Sequence, residues 1–211
     1  MNTACVVLLA GPIEPTPRLR AEVAGRHVIA ADGGLRHALS LSLAPDLIVG
    51  DLDSAPPDLL ARFPGVERRT LPRDKAETDG AAALTAATER GCRDLLILGA
   101  LGGPRTDHVF SNLVLALDRA HGFDRLVMFD GRERAFPLTP GQTLHHEASP
   151  GTQFSICRFG EVTGLTIRGA KWPLDAVTLP FGSVLTQSNE AAGPVAITIA
   201  TGRAFALFNE N

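Results

Sequence analysis

The chain has 211 residues, 45% of them apolar and 20% charged, with a formal net charge of -3. This is the balance of a soluble globular protein, with enough chain for one large domain or two modest ones. The slight acidity excludes a nucleic-acid or acidic-membrane binder, which needs a dense basic surface, and no apolar run reaches the roughly 20 residues of a membrane-spanning helix.

The first apolar run, residues 4–10, has no basic segment before it and is cut off by Gly11-Pro12. It reads as a buried strand rather than a signal peptide. Strands are predicted at 5–10, 27–32, 46–51, 94–101 and 125–130, each short and rich in Val, Ile or Leu. Helices are predicted between them at 18–24, 35–43, 56–62, 79–90 and 107–120. Parallel strands need crossover connections, so the alternation predicts a parallel sheet covered by helices on both faces, a three-layer α/β domain over residues 1–132. Beyond Gly131 helical periodicity stops. Short runs at 143–146, 153–159, 165–167, 184–187, 195–199 and 204–208 follow, most of them separated by Gly or Pro. They predict an all-β sandwich or barrel over residues 133–211. Cys5, Cys92 and Cys157 are far apart and odd in number. They match no zinc spacing and no disulfide framework, which points to a reducing cytoplasm.

The chemistry gathers at the predicted strand ends, where open α/β sheets bind ligands. The strand at 27–32 runs into Asp32-Gly33-Gly34, and the strand at 46–51 into Gly50-Asp51-Leu52-Asp53-Ser54. The loop Asp74-Lys75-Ala76-Glu77-Thr78-Asp79 opens the helix before the fourth strand, which itself leads to Gly102-Gly103-Pro104-Arg105-Thr106-Asp107-His108. Asp51 and Asp53 direct two carboxylates at one hard cation, and magnesium takes one or two carboxylates together with substrate phosphates. Asp79 and Asp107 complete the acidic set from neighbouring loops. The glycine pairs allow backbone amides to approach a polyphosphate, Arg105 offers a planar donor fork, and Lys75 adds a second cation. A lone loop aspartate such as Asp46 or Asp58 reads as a helix cap, and the adjacent pair His145-His146 as structural. No Gly-x-x-x-x-Gly-Lys-Ser/Thr loop, Gly-x-Gly-x-x-Gly turn or Gly-x-Ser-x-Gly elbow is present, which excludes P-loop enzymes and counts against nicotinamide dehydrogenases and serine hydrolases.

These segments, with Gly169-Ala170-Lys171-Trp172-Pro173-Leu174, Phe181-Gly182-Ser183 and Gln187-Ser188-Asn189-Glu190 in the second half, resemble the thiamine pyrophosphokinases, in this order along nearly the whole chain. The resemblance implies transfer of the β,γ-diphosphate of ATP to the hydroxyl of thiamine, with release of AMP. It implies an α/β domain that binds ATP and magnesium, a β domain that helps hold thiamine, and a homodimer with the active site shared between subunits. Carried over by motif, Asp51, Asp53 and Asp79 are metal ligands, and Arg105 and Asp107 belong to the nucleotide and catalytic loop. Asp32, Gly33, Gly34, Lys75, Arg105 and His108 lie on the nucleotide side. Trp172 stacks on the thiamine ring, and Ser188 and Asn189 line its pocket. Where many bacterial members carry a third acid in the Asp-Lys-Asp-x-Thr-Asp loop, this chain has Ala76. The competing readings are a diphosphokinase for another hydroxymethyl heterocycle such as a pterin, a non-catalytic nucleotide- or thiamine-binding module, and a phosphohydrolase.

Overall fold

The apolar runs of the first half pair as parallel strands. The computed structural model describes residues 3–52, 56–72 and 77–210, and the chain folds as two compact units, one of Met1–Leu115 with Gly122–Gly131 and one of Ala116–His121 with Arg132–Asn211.

In the first unit β1 (Thr3–Leu8), β2 (His27–Ala31), β3 (Leu47–Gly50), β4 (Glu67–Thr70), β5 (Cys92–Leu98) and β6 (Arg125–Phe129) lie in the order β6-β5-β1-β2-β3-β4. Every neighbouring pair among them is parallel. Consecutive residues of β1 such as Val6, Val7 and Leu8 are buried although they point to opposite faces, so the sheet is covered on both sides. The five predicted helices form as α1 (Pro17–Val23), α2 (Leu35–Leu41), α3 (Pro57–Ala61), α4 (Asp79–Glu89) and α5 (Thr106–Arg119). Thr16 caps α1 by accepting from the Leu19 amide at 3.1 Å, and Pro17 opens it. The buried face of α4 is Ala82, Ala83, Leu84, Ala86 and Ala87, whose small side chains let the helix lie close over β1, β2, β3 and β5.

The predicted strands end one to three residues late, because the backbone leaves the ladder earlier, at Asp32, Gly50 and Gly99, where φ is positive. Strand β4 has no apolar run and is absent from the sequence reading. It forms as a charged edge strand, tied to α4 by Arg69–Glu89 at 2.7 Å and by Arg90–Glu67 at 2.6 Å. The cysteine reading needs correction. Cys5 and Cys92 are joined by a disulfide between β1 and β5, with Cα atoms 5.9 Å apart. Their 87-residue separation conceals that the two strands are sheet neighbours.

The second unit is antiparallel. Strand β13 (Ala204–Asn209) lies between β7 (Glu133–Leu138) and β9 (Gln153–Arg158). The ten-residue β12 (Asn189–Thr198) begins against β9, then pairs along its length with β8 (Thr143–His146) and β10 (Val162–Ala170). Strand β11 (Leu174–Leu179) pairs with β10 on the far side. In its core His146 packs between Phe136 and Phe208, at ring distances of 4.9 and 4.3 Å. Its Nε2 lies 2.9 Å from Glu210, which also accepts from Arg134 at 2.9 Å. His145 is exposed, as alternation on a strand requires. The predicted strand at 184–187 is instead a pair of turns, closed by Ser183 N to Pro180 O and Gln187 N to Val184 O, each at 3.1 Å. Strands β7 and β11 escape the sequence reading, β7 because Pro137 lies within it and β11 because half its residues are exposed.

At the amino-terminal ends of the parallel strands, Arg26 makes two hydrogen bonds to the Asp94 carboxylate, at 3.1 and 3.2 Å, and Arg125 adds a third at 3.0 Å. Burial alone would raise the pKa of the Asp94 carboxyl, but the two guanidiniums outweigh it and hold it below the usual aspartate value. A carboxyl with a depressed folded value stabilises the fold above its unfolded value, and that contribution is lost as pH falls through the folded one. Asp94→Asn is therefore expected to cost about 1–2 kcal/mol at pH 7, allowing for partial exposure. Urea unfolding measures this, and the gap between variant and parent should close as pH drops below the ordinary aspartate range.

Candidate active site

Two glycines and a helix start determine where the acids of the first unit stand. Asp32 leaves the end of β2 at φ 43 and is only 7% exposed. Its one-turn helix Asp32–Gly34 packs against the end of β1, where a methyl group on Gly34 would lie 2.1 Å from the Leu8 carbonyl oxygen. Only glycine fits there, so packing already accounts for Gly34, and Gly33 beside it is buried too. Gly50 ends β3 at φ 142, and a methyl group on it would meet Asp32 Cβ at 3.0 Å and Asp79 Oδ1 at 3.1 Å. Asp51 follows. Asp79 is the first residue of α4, whose start is capped by Thr78 accepting from the Ala81 amide at 3.2 Å.

Carboxylate oxygens of Asp32, Asp51 and Asp79 all lie within 4.8 Å of one another. The donor set is all oxygen, and the bare backbone of Gly50 leaves the space between them clear. Like charges so close repel one another, and a hard divalent cation with oxygen ligands relieves the repulsion. The arrangement brings Asp51 and Asp79 together with Asp32, which the sequence reading assigned to the nucleotide side. The signal was available: two parallel strands that both run out into an aspartate place those aspartates side by side if the strands are neighbours. Asp53 and Lys75, and with them Ser54 and Ala76, lie outside the described residues.

Arg105, Asp107 and His108 stand together before and at the start of α5, all exposed. Arg105 grips Asp107 through two parallel bonds, Nε to Oδ1 at 2.9 Å and Nη2 to Oδ2 at 2.7 Å. His108 Nε2 lies 3.9 Å from the same carboxylate. The hydrogen bonds from Arg105 bring the Asp107 carboxyl down to about 2. In this state Asp107 is a weak proton acceptor, and the Arg105 fork is already filled by a carboxylate.

In the second unit the proposed acceptor residues form one local constellation. Trp172 is 54% exposed. The Asn189 side chain donates to the Trp172 carbonyl at 2.9 Å and accepts from its amide at 3.3 Å. Lys171, which the sequence reading did not single out, holds its ammonium 4.9 Å above the Trp172 ring and 3.1 Å from Glu190. One face of the indole is thus covered by a cation held by Glu190. Ser188 precedes Asn189 at φ 56, its amide bonded to Ser155 Oγ at 3.0 Å.

Comparison with known proteins bears on both units. Residues 23–126 match the family model described as "Thiamin pyrophosphokinase, catalytic domain", and residues 142–204 the one described as "Thiamin pyrophosphokinase, vitamin B1 binding domain". A rice protein (Oryza sativa subsp. japonica) named thiamine pyrophosphokinase 1 is 28% identical over 155 residues, which are 69% of this chain and 58% of that protein. The matched stretch thus spans little more than half of that relative. The thiamin pyrophosphokinase structure from Geobacillus thermodenitrificans superposes with a TM-score of 0.82 at 27% identity, covering 100% of this chain and 98% of that one. The thiamine pyrophosphokinase structure from Bacillus subtilis gives a TM-score of 0.86 over 100% of both chains at 24% identity, a likeness of fold.

The Arg105–Asp107 pair can be tested directly. In the protein without ligands, carbon-detected NMR titration should find the Asp107 carboxyl still ionised at pH 3. In Arg105→Gln its titration should return to the ordinary aspartate range near pH 4. An ordinary value in the parent protein would mean that the pair does not persist in solution.

Proposed function

The chain belongs to the thiamin pyrophosphokinase family, and on that premise we propose that it transfers the diphosphate of ATP to thiamine, giving thiamine diphosphate and AMP. The observation that carries this reading is the gathering of Asp32, Asp51 and Asp79 around Gly50, at the carboxyl ends of adjacent parallel strands. The match of residues 142–204 to a vitamin B1 binding domain favours thiamine over a pterin as acceptor.

Asp32, Asp51 and Asp79 would hold magnesium, and the Asp-x-Asp motif assigns Asp53 to the same ion. When bound, the ion neutralises charge on the polyphosphate and helps orient it. The protein's own groups do the rest. The motifs assign Gly33, Gly34, Lys75 and His108 to the nucleotide. Arg105 exchanges the Asp107 carboxylate for phosphate oxygens, for which its planar fork is equally suited. Once released, Asp107 returns toward ordinary carboxylate basicity and stands ready to accept the proton of the thiamine hydroxyl. That hydroxyl oxygen bonds to the β-phosphorus, the bridging bond between the α- and β-phosphates breaks, and its electron pair leaves with AMP. Catalysis of this kind rests on positioning and on fixed charge.

Trp172 offers its indole face to the cationic acceptor, with Ser188 and Asn189 alongside. The reading includes a homodimer in which the acids of one subunit work with Trp172 and Ser188 supplied by the other. It also includes a cytoplasmic location, where ATP is at hand. Among the described residues no helix is long and apolar enough to cross a membrane.

Incubation with magnesium, ATP and thiamine should yield AMP and thiamine diphosphate in equal amounts. ADP as the nucleotide product, or phosphate released without thiamine, would overturn the reading. Trp172→Ala should raise KM for thiamine by about 2- to 30-fold, the equivalent of a cation–π contact of about 0.5–2 kcal/mol, and leave KM for ATP unchanged.

A further inference from the structure

Strand β12 changes partners at its first residues, and one side chain bridges the change. Its backbone pairs with β10 up to Ala191, which faces Ala170. One step further, the Lys171 amide still donates to the Glu190 carbonyl at 2.8 Å. At the next step, where Asn189 faces Trp172, the Asn189 backbone has turned away and pairs with Phe154 of β9. There the Asn189 side chain reaches back to Trp172. The carboxamide donates to the Trp172 carbonyl and accepts from the Trp172 amide, clamping that backbone at a step where the alternation of an antiparallel ladder leaves facing residues without backbone bonds of their own. It accepts as well from the Glu190 amide at 2.8 Å.

Asn189 is 5% exposed, whereas the indole it holds is 54% exposed. Ser188, at φ 56 and tied to Ser155, sets where the strand begins. We propose that Asn189 is a positioning residue for the acceptor. It clamps the Trp172 backbone to the start of β12 so that Trp172 presents a fixed face, and it does not itself touch the acceptor. The proposal rests on the assignment of Trp172 to thiamine binding, and it replaces a pocket-lining role for Asn189 with a bracing one.

Trp172 is the only tryptophan and the chain has no tyrosine, so intrinsic fluorescence reports on this site alone. Asn189→Asp keeps the shape and the acceptor atoms but sets a carboxylate oxygen against the Trp172 carbonyl. Asn189→Ser shortens the reach without adding charge, and covers the case in which the buried carboxylate prevents folding. In the full chain without ligands, both variants should show lower fluorescence anisotropy and stronger acrylamide quenching. KM for thiamine should rise about tenfold, the scale of a lost buried hydrogen bond, with KM for ATP unmoved. Unchanged anisotropy and quenching would overturn the proposal, and with a raised thiamine KM they would assign Asn189 a direct contact instead. A mobile Trp172 with an unchanged thiamine KM would overturn the link to binding. An equal rise in both KM values would reduce Asn189 to general fold support and overturn it as well. If the parent protein turns over thiamine while the variants keep Trp172 rigid, this proposal alone fails. If the parent makes no thiamine diphosphate, the underlying functional reading fails with it.

Discussion

The backbone of the first unit brings three carboxylates to one place. Asp32, Asp51 and Asp79 lie within 4.8 Å of each other. At that spacing two unit charges repel by about 1 kcal/mol in water and about 3–4 kcal/mol at an effective dielectric constant near 20. Each acid is placed by a feature with a separate structural reason: the packed turn at Gly34, the end of β3 at Gly50, and the capped start of α4. A divalent cation offsets the repulsion for all three at once. On the proposed function, the Arg105 guanidinium bonded to Asp107 serves to bring a polyphosphate to that ion.

The second unit solves a different problem, the presentation of an exposed aromatic ring with little freedom to move. Trp172 lies beyond the last backbone pair between β10 and β12, where a loop would ordinarily be mobile. A buried carboxamide clamps the Trp172 backbone, and Lys171, held by Glu190, occupies one face of the indole. The exposed segment that follows is anchored at its base in the same manner. Arg158 donates to the Pro180 carbonyl at 2.7 Å and to the Ser183 carbonyl, and Thr186 Oγ1 donates to the Ile156 carbonyl at 3.0 Å. Exposed apolar side chains such as Phe181 and Leu185 therefore project from a backbone secured to β9.

Much of this was legible in the residues, and the exceptions share a cause. The alternation of apolar runs with helical stretches identified the five principal parallel strands and all five helices, because burial on both faces leaves a continuous apolar signal. Asp51 and Asp79 were legible from their loops. What escaped depends on neighbours remote in sequence. Strand β4 exists because the edge of β3 accepts a partner, and its own residues are charged. The Cys5–Cys92 link and the adjacency of Asp32 to Asp51 both follow from strand order, which periodicity does not encode. The segment 184–187 has the composition of a strand, but all its side chains except Thr186 face solvent and its backbone closes turns. Asn189 was legible as part of a motif, while its action on the Trp172 backbone required the register of β12.

The central claim is that Asp32, Asp51 and Asp79 bind the divalent ion that carries the polyphosphate. Crystals grown with manganese and a non-hydrolysable ATP analogue would test it through anomalous diffraction. The account predicts an anomalous peak within coordination distance of oxygens from these three carboxylates and of the analogue's phosphates. A strong peak elsewhere, with the three acids bonded only to protein and water, would contradict it.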